Sequence, residues 1–341
     1  MFRIRPFTAL AAALFVVIVG AYLLMAARFP MAYLAATYED LFGEWLQFYF
    51  FAAAMILSAA LLFTPSRYRL FFALLAAACF YVTMEEISWG QRIFGWSSPA
   101  FFRAHNIQGE TNLHNFLVGP VRTGAKSLIE YLLTAALLLY GVAYPALLHR
   151  ENRAARWFDG KGLPAPPLCL WPFFAVAALL ELGLFRFNEA EVAEILLGFA
   201  FTAMAVFYLS AARSDPAEEK GERPDPRQGG AAATLFAATM IVALLAGMTT
   251  LGLYSSPSAR VRTEKRVANG IEKFAGRYAR YEMWDHSLAL YKRMDELEPG
   301  RPSLMRDIAD VSRRSGDGEA FGKWIARALE QDLLRLEENP V

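Results

Sequence analysis

Hydrophobic and polar positions sort into seven long apolar runs, at 8–26, 46–63, 70–88, 128–148, 168–185, 192–211 and 231–253, followed by a charged tail. Runs of this length suit helices crossing about 30 Å of hydrocarbon, the second and fifth being short for the task. The pattern predicts an all-α protein: a polytopic seven-span transmembrane helical bundle over 1–253, then a short helical domain over 254–341.

Basic residues in the short connections orient the spans. With the amino terminus in the cytoplasm, Arg3, Arg5, Arg67, Arg69, Arg150, Arg153, Arg156, Lys161, Arg213, Lys220, Arg223 and Arg227 fall inside. Arg28, Arg186, Arg92, Arg103, Arg122 and Lys126 fall outside, weakening the bias without reversing it. An odd number of spans then sends the tail outside, as expected for a multi-pass protein of a bacterial inner membrane. The first run is longer than a signal-peptide core of about 7–15 residues and reads as a retained anchor.

In this orientation the acidic residues of the spans gather on the outer side. Glu85 and Glu86 close the third run, Glu130 opens the fourth, and Glu181 lies near the end of the fifth. Asn188, Glu189, Glu191 and Glu194 then lead into the sixth. Ionisable groups at membrane depth are costly, so a one-sided collection of them marks a candidate site. The connection 89–126 adds aromatics (Phe94, Trp96, Phe101, Phe102) among polar groups, which suits a segment lying on the bilayer. Ser98-Pro99 is placed to cap a short helix there. Segment 214–230 reads as a flexible inner linker, and 149–167 as a basic, Pro-rich inner loop.

Composition fits this picture: 56% hydrophobic, 14% aromatic, and a mean hydropathy of +0.27. A net charge of +1 with no basic block gives nucleic acid nothing to track. Cys79 and Cys169 both lie in apolar runs, which argues against a disulfide framework or a thiolate metal site.

In the tail, the run from Ile271 to Pro299 carries Tyr278, Ser287, Tyr291 and Pro299 at the Tyr, small, aromatic and Pro positions of a tetratricopeptide repeat, which it resembles. A weaker copy over 304–332 carries Gly316, Ala320, Trp324 and Ala328, is one residue short in its turn and lacks the closing Pro. The resemblance covers 271–332 and implies a helical module with a concave surface for a protein partner. Two such repeats need support from elsewhere, since about three normally bury a continuous core.

The candidate chemistry lies on the outer side. On a helix, Glu85 and Glu86 stand about 100° apart, so one at most points squarely into the bundle. If residues 110–114 are helical, Glu110 and His114 share a face, as two ligands of one ion would. Glu85, Glu86, Glu110 and His114 are the candidate catalytic groups. Gln91, Arg92, Asn106, Gln108 and Asn115 are the candidates to orient substrate. Glu86, Glu110, His114, Glu181, Glu191 and Glu194 are the candidate ligands of a divalent metal ion, the one cofactor considered. His105, His149 and His286 have no assigned chemistry.

Three functions are compatible with this sequence. The first is a hydrolase or transferase, metal-assisted in one form, acting on a lipid or lipid-linked substrate at the outer leaflet. The second is an envelope assembly scaffold that recruits a partner through its external repeats, the polar cluster locking helices together. The third is a proton- or ion-coupled carrier, disfavoured because no acidic residue lies in the inner half of any span. Membrane lipids are the expected surroundings in each case.

Overall fold

The computed structural model describes residues 5–106, 109–113, 123–212 and 226–338. Among them every regular element is helical. Two compact units form, one of 1–20 with 42–250, the other of 21–41 with 251–341.

In the first unit the long helices are α1 (Pro6–Arg28), which runs on into the second unit, α3 (Phe42–Leu61), α4 (Arg69–Glu86), α11 (Glu189–Ala212) and α12 (Pro226–Ser255). A further long helix is built from α7 (Thr123–Leu138), a π-helical turn (Leu139–Ala143) and α8 (Tyr144–His149). Among the described residues five helices are long and apolar enough to cross a membrane; α4 makes a sixth if its bent continuation, residues 88–94, counts with it. The expected fifth span is short: a 3-10 turn (Leu168–Leu170) leads into α10 (Trp171–Leu180), and the chain then turns. Large apolar side chains such as Val16, Val17, Ile241, Leu244 and Met248 point outward, as lipid-facing positions do.

α11 is the central helix of this unit, with Ile195, Leu196, Phe199, Ala200, Ala203 and Met204 fully buried. Gly198 lets α3 come close: a Cβ there would lie 2.9 Å from that of Phe50. Small residues at a crossing allow such approach. Phe199 stacks on Phe173 of α10 at 4.6 Å and meets Phe50 edge-on, while Thr202 Oγ1 donates to the Phe50 carbonyl at 2.9 Å.

At the opposite end from Glu86, the loop 149–167 is more ordered than its composition predicts. It contains α9 (Arg153–Gly160), capped by the Asn152 side chain, whose Asp159 takes Arg67 and the Tyr68 hydroxyl. The extended stretch 163–165 has its carbonyls bound by the hydroxyls of Tyr144, Tyr140 and Tyr208 at 2.6, 3.0 and 2.8 Å. Those bonds satisfy backbone acceptors that no helix serves.

The second unit holds two helical hairpins, α13 (Pro257–Arg280) with α14 (Trp284–Leu297) and α15 (Pro302–Arg314) with α16 (Gly318–Glu338). Tyr278 and Ser287 are fully buried, Ser287 donating to the Ala275 carbonyl at 2.9 Å. The unit also takes in residues 21–41, which composition had not joined to the tail. There α2 (Pro30–Thr37) and Tyr38 lie on α13: Tyr33 and Tyr38 meet Phe274 edge-on, and Gly270 sits beneath Leu34 and Tyr38. Arg266 pairs with Glu39 and Asp40, and the Tyr278 hydroxyl donates to the Ala26 carbonyl. Residues 21–41 thus supply the extra packing that an isolated pair of hairpins lacks.

Candidate functional site

The site begins where α4 stops. After Glu86 the chain passes through Ser88, Trp89 and Gly90, all left-handed, with φ of 47°, 54° and 93°. For the two non-glycine residues this costs about 1–2 kcal/mol each. The turn bends the path by 61° into α5 (Gln91–Phe94). Strain of this kind persists where surrounding contacts fix it, and it clusters at functional sites. Ser88 therefore does not share a helical face with Glu85, because the helix has already ended.

Contacts with the following loop hold the turn. Trp89 Nε1 donates to Glu85 Oε1 at 2.6 Å, and the Leu113 amide donates to Glu85 Oε2 at 2.7 Å. Glu110 Oε2 accepts from Ser88 Oγ at 2.8 Å, Arg92 Nη2 at 3.2 Å and Asn112 Nδ2 at 3.3 Å. Gln91 Oε1 accepts from Ser98 Oγ and the Thr111 amide, while Asn106 Nδ2 donates to the carbonyl and side chain of Asn112. Ser98 is thus spent on Gln91. The short helix that follows, α6 (Ala100–His105), has Pro99 at its cap position with no side-chain bond, which corrects the capping expected of Ser98. Phe101 on α6 is exposed, as expected for an interfacial segment.

Residues 109–113 are not helical, so the i, i+4 pairing of Glu110 with His114 has no helix beneath it on the Glu110 side. Asn106 and Asn112 supply the physical reason: short amide side chains bonding to nearby backbone compete with helix formation. Gln108, His114 and Asn115 lie outside the described residues.

A second group of carboxylates faces the bundle. Glu86 lies within electrostatic reach of Glu44 of α3, Glu191 and Arg92. Glu194 faces Glu86, Glu191, Glu181 and Glu44. Gln47, fully buried one turn along α3 from Glu44, donates through Nε2 to the carbonyl of Glu191 at 2.8 Å and to its carboxylate at 2.9 Å. Arg92 joins the two groups, bonding Glu44 through Nη1 and Glu110 through Nη2.

Glu86, Glu181 and Glu191 therefore all lie within electrostatic reach of Glu194, and Glu110 is connected to Glu44 through Arg92. Glu85 belongs to the loop network instead. Both members of the Glu85–Glu86 pair are engaged inside the protein, in different directions. Glu130 lies on α7, half-buried. Glu189 has a local role: its carboxylate accepts the amides of Phe185, Arg186 and Phe187 at 2.6–2.8 Å and closes the turn before α11.

Glu44 and Gln47 are site residues that the apolar pattern passed over: Glu44 falls just before the second run, counted from Leu46, and Gln47 lies within it as an uncharged residue. Their signal was present, as two polar residues three apart at the start of a long apolar run. Among the described residues, no three His, Cys, Asp or Glu side chains stand where they could hold one metal ion. Comparison with protein-family models, with curated proteins and with solved structures finds no match for the chain.

Proposed function

We propose that this is an integral membrane protein of a bacterial inner membrane with seven crossings, amino terminus inside and tail outside. On this reading the outer polar site carries out proton-transfer chemistry, hydrolytic or transferring, on a lipid or lipid-linked substrate from the outer leaflet. The observation that carries it is the meeting of Glu86 with Glu44, Glu191 and Glu194 at the broken end of a span. Neighbouring carboxyls can divide the work, one acting as acid and one as base. Arg92 fixes Glu44 for that work, and the strained turn fixes Arg92. The metal-assisted form, with an ion among Glu86, Glu110, His114, Glu181, Glu191 and Glu194, has less support: Glu110 Oε2 is already engaged by Ser88, Arg92 and Asn112.

The test incubates the purified chain in nanodiscs of its native lipids and follows headgroup release or transfer by mass spectrometry. Turnover is expected, with loss of at least a hundredfold in Glu86→Gln. No conversion of any lipid, with Glu86→Gln and His114→Ala both retaining full cellular function, sinks the reading.

A scaffold reading has its own support. Asn106, Glu110 and Asn112 bond to one another, and Glu85 and Gln91 tie the turn to the loop through Leu113 and Thr111, in the manner of a lock, while the tail resembles a tetratricopeptide module that would recruit a protein partner. Deleting 258–341 abolishes function under that reading, whereas cluster substitutions at normal expression do little.

A further inference from the structure

The inner loop presents a face that the outer polar site does not use. Helix α9 is held to the end of the bundle along one side. Ala155, 2% exposed, packs with Tyr144 and Ala165, and Asp159 one turn later takes Arg67 and the Tyr68 hydroxyl. At about 100° per residue, Trp157 falls on the opposite side of the helix from that pair. Trp157 is 58% exposed and Phe158 46%, the two rings meeting edge-on at 4.9 Å. A contiguous aromatic pair left outside marks an interaction surface.

Charge selects the partner. Arg153 lies one turn before Trp157 on the same face, and Lys161 Nζ sits 5.7 Å from the Trp157 ring centre. Arg150 stands just ahead of the helix and is exposed. Of the acidic residues here, Glu151 takes Arg156 and Asp159 takes Arg67. Arg150, Arg153 and Lys161 have no ion-pair partner among the described residues. Aromatic rings set among unpaired cations complement phosphate headgroups lying over acyl chains. A free phosphate would use the cations and leave the rings in water.

The depth of α9 agrees. Phe63, just past α3, and Leu70, in the first turn of α4, are strongly exposed on either side of the turn that carries Arg67 and Tyr68. Leu147, in the last turn before α9, is exposed as well. Lipid-facing side chains thus reach the level at which α9 is tied down, and Trp is favoured at that boundary. We infer that this face of α9 docks on anionic lipids of the inner leaflet. The inference goes beyond the outer site and rests only on the membrane topology proposed above.

The full chain in nanodiscs of equal phosphatidylglycerol and phosphatidylcholine tests it, with retained lipid read by native mass spectrometry. Phosphatidylglycerol is expected to be retained at least about tenfold over phosphatidylcholine, since each cation near an anionic surface contributes several-fold. Combining Arg150→Gln, Arg153→Gln and Lys161→Gln removes most of that preference. Combining Arg293→Gln, Arg306→Gln and Arg314→Gln, all exposed on the tail, changes the net charge equally and leaves it. A nitroxide on Trp157→Cys, with Cys79 and Cys169 replaced by Ala, collides more with oxygen than with an aqueous nickel chelate.

Equal retention of the two lipids, an equal fall in both triple variants, or a label that meets nickel rather than oxygen each overturns the inference. The lipid and collision readouts involve no turnover, so this inference and the catalytic reading of the outer site fail separately.

Discussion

Arg92 joins the loop network to the carboxylate cluster, so its removal tests whether the two form one site. Its side chain is 13% exposed, and those of Glu44 and Glu110 are 12% and 17% exposed, too enclosed for water to replace the lost partner. Breaking a buried pair by deleting one member costs about 3–5 kcal/mol. Here the lower end applies, because Glu110 keeps Ser88 and Asn112. Arg92→Met is therefore expected to destabilise the bundle by about 3 kcal/mol. Arg92→Lys recovers part of this, since a single ammonium serves one carboxylate better than two separated ones. The decisive measurement is a double-mutant cycle of Arg92→Met with Glu44→Gln, and a second with Glu110→Gln, read by reversible denaturant unfolding in mixed micelles. Coupling of about 1–2 kcal/mol is expected in each cycle. If both pairs are additive within about 0.5 kcal/mol, Arg92 does not bridge the site and the argument fails.

Gly141→Ala puts a Cβ 2.1 Å from Phe174 Cγ, whose ring is fully buried, so a loss of at least about 3 kcal/mol is expected. Phe174→Leu should restore part of it, and a silent Gly141→Ala in thermal unfolding would refute this packing. In the tail, burial, with Glu272 and Asp310 adding to it, raises the carboxyl of Asp307 above the usual carboxylate range. A raised folded value means stability is fullest below the unfolded value of about 3.9 and falls as pH rises through the folded one. Asp307→Asn should therefore raise the unfolding midpoint of the full chain's tail at pH 7, with the gain vanishing towards pH 4; a gain that grows on acidification contradicts the assignment. For topology, with Cys79 and Cys169 replaced by Ala, an impermeant maleimide should label Asp285→Cys from outside intact cells. It should reach Arg153→Cys only after permeabilisation, and the reverse pattern would invert the orientation.

The apolar runs showed where long helices lie because length alone separates a spanning helix from a core helix. What they could not show is where such a run stops being helical. The fifth run was counted to Phe185, yet the helix ends at Leu180, and Gly183, Arg186 and Asn188 are left-handed. Leu182, Leu184 and Phe185 read as span residues although they belong to a turn whose amides Glu189 collects. The third run hid its break in the same way, since Ser88 and Trp89 carry no sequence mark of positive φ and only Gly90 does. The candidate carboxylates were legible as acidic residues at the ends of apolar runs, and Glu194 has Glu86, Glu191 and Glu181 within electrostatic reach. Spacing on an assumed helix misled at Glu110, where side-chain amides fix a non-helical loop, and span counting hid Glu44 and Gln47.

Chain connectivity ties the two breaks together. Under the proposed membrane topology, residues 21–41 and 251–341, which belong to one unit, lie on one side of the bilayer, and the number of crossings between them is even. Helix α3, the α7–α8 helix, α11 and α12 account for four. Helix α4 and the 168–180 segment must then both cross or both fail to cross. The end of α4 at Glu86 and the end of α10 at Glu181 come to the same carboxylates, as do the starts of α3 and α11. That favours two crossings that finish short, one bent by 61° and one only 13 residues long. At about 1.5 Å per residue, 13 residues span about 20 Å, well under the hydrocarbon thickness. Under that topology the missing depth falls to non-helical backbone, which survives there only where protein or water, rather than lipid, meets its polar groups. The Ser88–Gly90 turn and the 181–188 turn supply such backbone beside the cluster. The bend after α4 and the early end of α10 therefore bring non-helical backbone and the carboxylates to one place.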